Sequence, residues 1–302
     1  MNASGGMRAR RAIMLLAGIA LLWFVWDNNG VHPRPSHRAQ WLAADDVSLR
    51  TIEAGTGDTT LLLLHGYGES LMAYRGMFDR LARQYRVVAI DLPGFGLSDK
   101  PDAPYDLPAM RRRLGAFLER WTRGPLVVVG HSMGGEIAAD LAMAYPQRIV
   151  AAVLIAPAGY GVSPVLADSN GRITATSGWA ATTIAAVLPV HDTAWLSEPA
   201  ERLAYDVVLD PAYRVAASRM LREFDFSALR GKLGAMHQPT LVIWGRQDPT
   251  IPIGIGEELA AQLPCHRLVV LEHTLHRPHE SQPDTVVVEI EGFLRHPTCK
   301  GT

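Results

Sequence analysis

Short apolar, β-rich runs recur along the chain with helical stretches between them, and this alternation most constrains the fold. The runs are Leu61–Leu64, Arg86–Ile90, Leu126–Val129, Val150–Ile155, Leu241–Trp244 and Leu268–Leu271. They are continuous rather than alternating, as expected of strands covered on both faces. Helical patterning fills Leu71–Gln84, Leu107–Trp121, Gly134–Tyr145, Gly256–Leu263 and Thr285–Leu294. Together they imply an α/β class: a mostly parallel twisted sheet with helices on both faces. Val47–Glu53 alternates as a half-buried strand, and Gly55-Thr56-Gly57-Asp58 reads as a turn.

The rhythm breaks between about 161 and 232, where no comparable strand run occurs. Alanine- and valine-rich stretches, two tryptophans and several prolines stand there instead. We read 161–232 as an inserted helical cap over one sheet edge, between a first core part (31–160) and a second (233–302). Composition agrees with a folded core: of 302 residues, 48% are hydrophobic and 20% charged. With 29 Lys+Arg against 30 Asp+Glu, the net charge is −1. No basic field exists to neutralise phosphates, so a nucleic-acid partner is not expected. Cys265 and Cys299, the only cysteines, lack metal-ligand spacing. The sequence leaves open whether they pair.

Residues 1–11 carry Arg8, Arg10 and Arg11 and no acid, and Ala12–Trp26 follows as an unbroken apolar run. A basic head before a short apolar helix is the pattern of a signal peptide or signal anchor, assigned here to 1–30. The run ends in Phe24-Val25-Trp26, bulky where a signal peptidase prefers small residues, which favours a retained anchor over cleavage. As a helix it spans about 22 Å, short of the ~30 Å hydrocarbon core, so local thinning or snorkelling is needed. The arginines would stay cytoplasmic and the rest face outward, periplasmic or extracytoplasmic, or secreted if the segment is cleaved. Residues 27–39, with Pro33 and Pro35, read as a tether.

Gly130-His131-Ser132-Met133-Gly134-Gly135 joins the Leu126–Val129 run to the following helix. A tight strand-to-helix turn crowds its centre, and glycine two residues to either side relieves that crowding. The turn pushes the Ser132 hydroxyl out at the carboxyl edge of the sheet. It also aims the helix N-terminus, with the Met133 N–H, at whatever sits above the serine. Ser132 is the candidate nucleophile and Met133 a candidate oxyanion donor.

GHSMGG, LLLLHGYGES (61–70), DLPGFGLSDKP (91–101), WGRQDPTIP (244–252) and HRPHESQPD (276–284) together resemble the α/β-hydrolase superfamily, in its cap-bearing, serine-nucleophile group. The blocks fall in the family's order from about residue 40 to 296. The resemblance implies the α/β-hydrolase fold and nucleophilic acyl transfer without metal or cofactor.

A serine hydroxyl needs an adjacent base, and the base a carboxylate. In this fold they follow in the order Ser, Asp or Glu, His. Asp248 lies four residues after the Leu241–Trp244 run, in a turn, and is the expected acid. Asp91, ending Arg86–Ile90, ranks below it, because the resemblance makes DxPGxGxS a structural turn. His273, His276 and His279 compete for the base. The resemblance selects His276, two residues before Pro278, although Leu275 stands where the family usually carries glycine. It also maps a second oxyanion donor to the Tyr67 N–H. His65 is expected to hold that loop by hydrogen bonding.

Serine at the turn argues against the family's dehalogenases and epoxide hydrolases, which place an aspartate there. The expected activity is hydrolysis of a small carboxylic ester, carboxylesterase- or lipase-like. Carbon–carbon hydrolysis of diketone-like substrates is the alternative, though Gly68-Glu69-Ser70 departs from the Gly-Pro-Gly often found in those enzymes. A non-catalytic ligand-binding module is a third reading. Arg214, Arg219 and Arg222 are candidates to bind a substrate carboxylate, with solvated helix charges the preferred account.

Overall fold

The computed structural model describes residues 37–161 and 210–297. Eight strands form one sheet: β1 (Gln40–Ala44), β2 (Val47–Ala54), β3 (Thr60–Leu64), β4 (Arg86–Ile90), β5 (Leu126–His131), β6 (Ile149–Ile155), β7 (Thr240–Gly245) and β8 (His266–Leu271). Their order is β1-β2-β4-β3-β5-β6-β7-β8. The β1–β2 and β2–β4 pairs are antiparallel and the rest parallel. The helices are α1 (Arg75–Leu81), α2 (Leu107–Trp121), α3 (Met133–Ala144), α4 (Pro211–Glu223), α5 (Ile253–Gln262), the short α6 (Pro278–Ser281) and α7 (Pro283–Arg295).

Successive strand residues face opposite sides and build two cores. Leu62, Leu64, Val128, Leu154 and Trp244 pack with Leu114 of α2, Ile137 of α3 and Leu259 of α5. Leu61, Leu63, Val127, Val153 and Ile243 pack with Phe78 of α1 and with Val286 and Ile290 of α7. Burial on both faces is what made these strands read as continuous apolar runs. β1 escaped that reading because it is an edge strand, with three of its five residues exposed.

Register places Leu64 beside both Ile90 and Gly130, and Ile155 beside His131 and Ile243. The loops leaving β3, β4, β5 and β7 therefore share one carboxyl edge. Of the expected cap, residues 162–209 lie outside the described residues, and α4 is described. It crosses that edge: Tyr213 meets Phe95 edge-to-face, and the Ala217 carbonyl accepts from the Tyr67 hydroxyl at 3.1 Å. Arg219 is held by Glu223 and Asp102, Arg222 by Ser218, and Arg214 is exposed, which is the solvated arrangement.

The N-terminal apolar helix expected over 1–30 lies outside the described residues, as does most of the tether. Among the described residues no helix is long and apolar enough to cross a membrane. The tether's last residues are docked: His37 packs on Phe78, and Ala39 is buried. Cys265 is disulfide-bonded, and Cys299, the only other cysteine, lies outside the described residues.

Candidate active site

The turn between β5 and α3 holds Ser132 at φ 50° and ψ −118°. A side chain in that region is strained by about 1–3 kcal/mol and persists only where the surroundings fix it. Here the Ser132 N–H donates to the Ile155 carbonyl at 3.0 Å. The Ser132 carbonyl accepts from the N–H groups of Gly135, Glu136 and Ala158 at 2.9, 3.1 and 2.9 Å. Space leaves no choice at the flanking glycines. A Cβ on Gly130 would stand 2.2 Å from the Gly134 carbonyl oxygen, and one on Gly135 2.7 Å from Pro157 Cβ.

Ser132, Asp248 and His276 come together at the carboxyl edge. His276 Nδ1 lies 2.7 Å from Asp248 Oδ2, and its Nε2 lies 3.0 Å from Ser132 Oγ. Asp248 Oδ1 accepts from the Thr250 and Ile251 N–H groups at 2.8 and 2.9 Å, which fixes the carboxylate. Burial pushes the His276 pKa down, the Asp248 hydrogen bond opposes that, and nearby His131 adds to the lowering. The neutral ring then has one proton. Facing a carboxylate, that proton sits on Nδ1, so Nε2 is the acceptor for the Ser132 hydroxyl.

Met133 opens α3 and is buried. Tyr67 follows Gly66 in the loop leaving β3. His65 holds that loop: its Nδ1 donates to the Gly66 carbonyl at 2.8 Å and its Nε2 accepts from the Leu92 N–H at 2.9 Å. Burial pushes the His65 pKa down, in keeping with a neutral ring that donates at one nitrogen and accepts at the other. Asp91 is occupied elsewhere. Its oxygens accept from the Leu71 and Leu97 N–H groups at 2.7 and 2.8 Å and from Arg50 at 3.3 Å. His273 is exposed. His279 is fully buried, and neither of its ring nitrogens has a hydrogen-bond partner among the described residues.

Three residues that sequence reasoning passed over stand directly behind this group. Glu69 Oε2 lies 3.1 Å from His131 Nδ1 and 2.7 Å from the Gly66 nitrogen, and Glu69 Oε1 lies 3.1 Å from Arg277 Nε. Their one sequence signal is adjacency: His131 precedes Ser132, Arg277 follows His276, and Glu69 is two residues beyond Tyr67. Glu69, His131 and His279 also bring ligand-type atoms within 4.8 Å of one another. Both Glu69 oxygens are already engaged, Oε2 accepting from the Gly66 N–H and Oε1 ion-paired with the Arg277 cation. That arrangement is a hydrogen-bonded cluster rather than a metal cage.

The sequence model of the α/β hydrolase fold matches residues 59–283. The chain is 31% identical over 252 residues to the pimeloyl-[acyl-carrier protein] methyl ester esterase of Aeromonas hydrophila, covering 78% of this chain and 94% of that one. It is 27% identical over 267 residues to 2-hydroxy-6-oxononadienedioate/2-hydroxy-6-oxononatrienedioate hydrolase 1 of Pseudomonas putida, covering 83% and 93%. A crystal structure of a membrane phospholipase A, described as a bacterial virulence factor, superposes with a TM-score of 0.71 at 25% identity, covering 96% and 99%. A strand-to-helix turn carrying a serine, an eight-stranded sheet in this order and a match across most of the length agree: the chain belongs to the α/β hydrolase fold family and is a hydrolase.

Proposed function

We propose that this hydrolase cleaves carboxylic esters through an acyl-enzyme formed on Ser132. The observation that carries the reading is the hydrogen-bonded chain from Ser132 through His276 to Asp248 at a strained turn. His276 Nε2 takes the hydroxyl proton as Oγ attacks the ester carbonyl. The Met133 and Tyr67 N–H groups stabilise the tetrahedral oxyanion, each such donor being worth about 3–4 kcal/mol of barrier. The protonated His276 gives its proton to the departing alkoxide. Water, deprotonated by the same nitrogen, then releases the acid and restores Ser132.

Tyr213, Ala216 and Met220 of α4, with Phe95 and Tyr67, form an apolar wall beside the loop leaving β3. That wall suits a medium acyl or aromatic group. The Aeromonas relative, by name a methyl ester esterase, supports ester chemistry. The Pseudomonas relative supports the carbon–carbon alternative. Membrane attachment through residues 1–30, with the hydrolase facing outward, is part of the proposal. The disulfide at Cys265 supports an oxidising compartment.

The test is turnover of p-nitrophenyl esters of increasing acyl length by the full chain in detergent, beside Ser132→Ala. We expect Ser132→Ala to lose about 10⁶-fold in kcat. No turnover of any ester by folded protein, or turnover that survives Ser132→Ala, overturns the reading. Recovery of the protein in the soluble fraction after cell lysis would overturn the attachment.

A further inference from the structure

We propose that Glu69 is a positioning residue: its single carboxylate ties together the three backbone segments that carry the nucleophile, the base and the oxyanion loop. The proposal rests on the ester-hydrolase reading above and adds to it a residue outside the Ser–His–Asp set.

Each segment sends one nitrogen to Glu69, two at hydrogen-bond distance and one as an ion pair. From the oxyanion loop the Gly66 N–H reaches Oε2 at 2.7 Å. From the nucleophile turn His131 Nδ1 reaches the same oxygen at 3.1 Å. From the base loop Arg277 Nε reaches Oε1 at 3.1 Å. A second path runs to the base itself, because His131 Nε2 lies 2.9 Å from the backbone carbonyl oxygen of His276. The Glu69 side chain is 6% exposed and that of His131 1%, so water does not compete for these contacts. Packing at Gly66 is equally close: a Cβ there would stand 2.8 Å from His131 Nδ1 and 3.1 Å from Glu69 Oε2.

The proton count shows why a carboxylate is needed. The two nitrogens of His131 face a carboxylate and a carbonyl, both acceptors. A neutral imidazole supplies one N–H and leaves one of these contacts unmade. Glu69 serves as an acceptor at both oxygens only as the ionised carboxylate. Burial by itself would push the Glu69 pKa up, but His131 and Arg277 hold it well below the usual carboxylate range. Every partner of Glu69 donates, so the side-chain amide introduced by Glu69→Gln would have to turn its NH₂ toward a donor.

Glu69 touches neither Ser132 nor the ring of His276. Its effect passes through the placement of the Gly66–Tyr67 amides and the His276 backbone. Misplacement of reacting groups by about 1 Å costs up to 100-fold. The expected signature is a fall in kcat with KM nearly unchanged, since the acyl wall on α4 is untouched.

The test uses the full chain, Glu69→Gln, Arg277→Gln and, as a control, Glu119→Gln, an exposed position on α2. The first readout is the rate at which a fluorophosphonate labels Ser132. In that reaction Oγ bonds to phosphorus, fluoride leaves and the hydroxyl proton passes to His276. The second is kcat and KM on a p-nitrophenyl ester. We expect Glu69→Gln to slow labelling and kcat about 10- to 100-fold with KM within about twofold. Arg277→Gln, which removes one of the three ties from a side chain 31% exposed, should show a smaller fall of the same kind. Glu119→Gln should match the wild type. Labelling of Glu69→Gln at the wild-type rate overturns the proposal. So does a loss confined to KM. If Glu69→Gln does not fold, an unchanged Arg277→Gln overturns it. Failure of the wild type itself to be labelled is a different result, because it removes the ester-hydrolase reading rather than the role of Glu69 within it.

Discussion

A Cβ added to Gly134, in the first turn of α3, would stand 2.2 Å from the carbonyl oxygen of Leu64 at the end of β3. The nucleophile helix is thus seated against the strand that launches the oxyanion loop, with no room for a methyl group. Gly134→Ala should push the two apart, destabilising the protein by about 1–3 kcal/mol. It should also lower kcat up to about 100-fold, by moving the Met133 amide relative to Tyr67. Thermal unfolding and ester turnover measured together check both.

Asp248→Asn should lower kcat about 10⁴-fold while leaving the fold intact. The Thr250 and Ile251 N–H groups both donate to Oδ1. They will keep the amide oxygen on their side and turn its NH₂ toward His276 Nδ1. The ring proton then moves to Nε2, where it faces Ser132 Oγ and blocks acceptance of the hydroxyl proton. Steady-state kinetics beside a thermal melt separates this outcome from unfolding.

Activity should rise with pH through one ionisation lying below the ordinary histidine value of 6.5 and then level off. The sign follows from the chemistry. His276 must be neutral to act as base, and burial disfavours its charged form, so the neutral ring persists to lower pH than a free histidine. A kcat/KM profile whose midpoint lies above 6.5 would contradict this.

Glu136→Gln should stabilise the protein more at pH 8 than at pH 4.5. Glu136 is fully buried on α3. Burial raises its pKa well above 4.5, and Asp225 and Asp140 add to that against the Ala228 backbone and Lys232. The folded state therefore keeps a proton that the unfolded chain has lost. Stability falls as pH rises from 4.5 toward the folded value, by up to about 1.4 kcal/mol per pH unit from this group. Denaturant midpoints of wild type and variant across that window should diverge as pH rises.

What could be read early is local. Arg86–Ile90 and Leu107–Trp121 have the bounds that the residue pattern predicts, because a strand buried on both faces and an amphipathic helix each write their environment into consecutive residues. The Leu71–Gln84 stretch is shorter and mixed, a 3₁₀ turn at Leu71–Tyr74 followed by α1. The edge strand β1 left no comparable mark.

The amino-acid sequence by itself determined the parallel sheet and the serine turn, since each depends on neighbours a few residues away. Three histidines within seven positions were not separable by local pattern, and only the family resemblance selected His276 among them. Tertiary structure decided among them by placing His276 over Ser132, exposing His273 and burying His279 against His131. It alone revealed Glu69. The contact between Glu69 and His131 joins residues 62 positions apart, and no local pattern records which loops a folded sheet will bring to one edge.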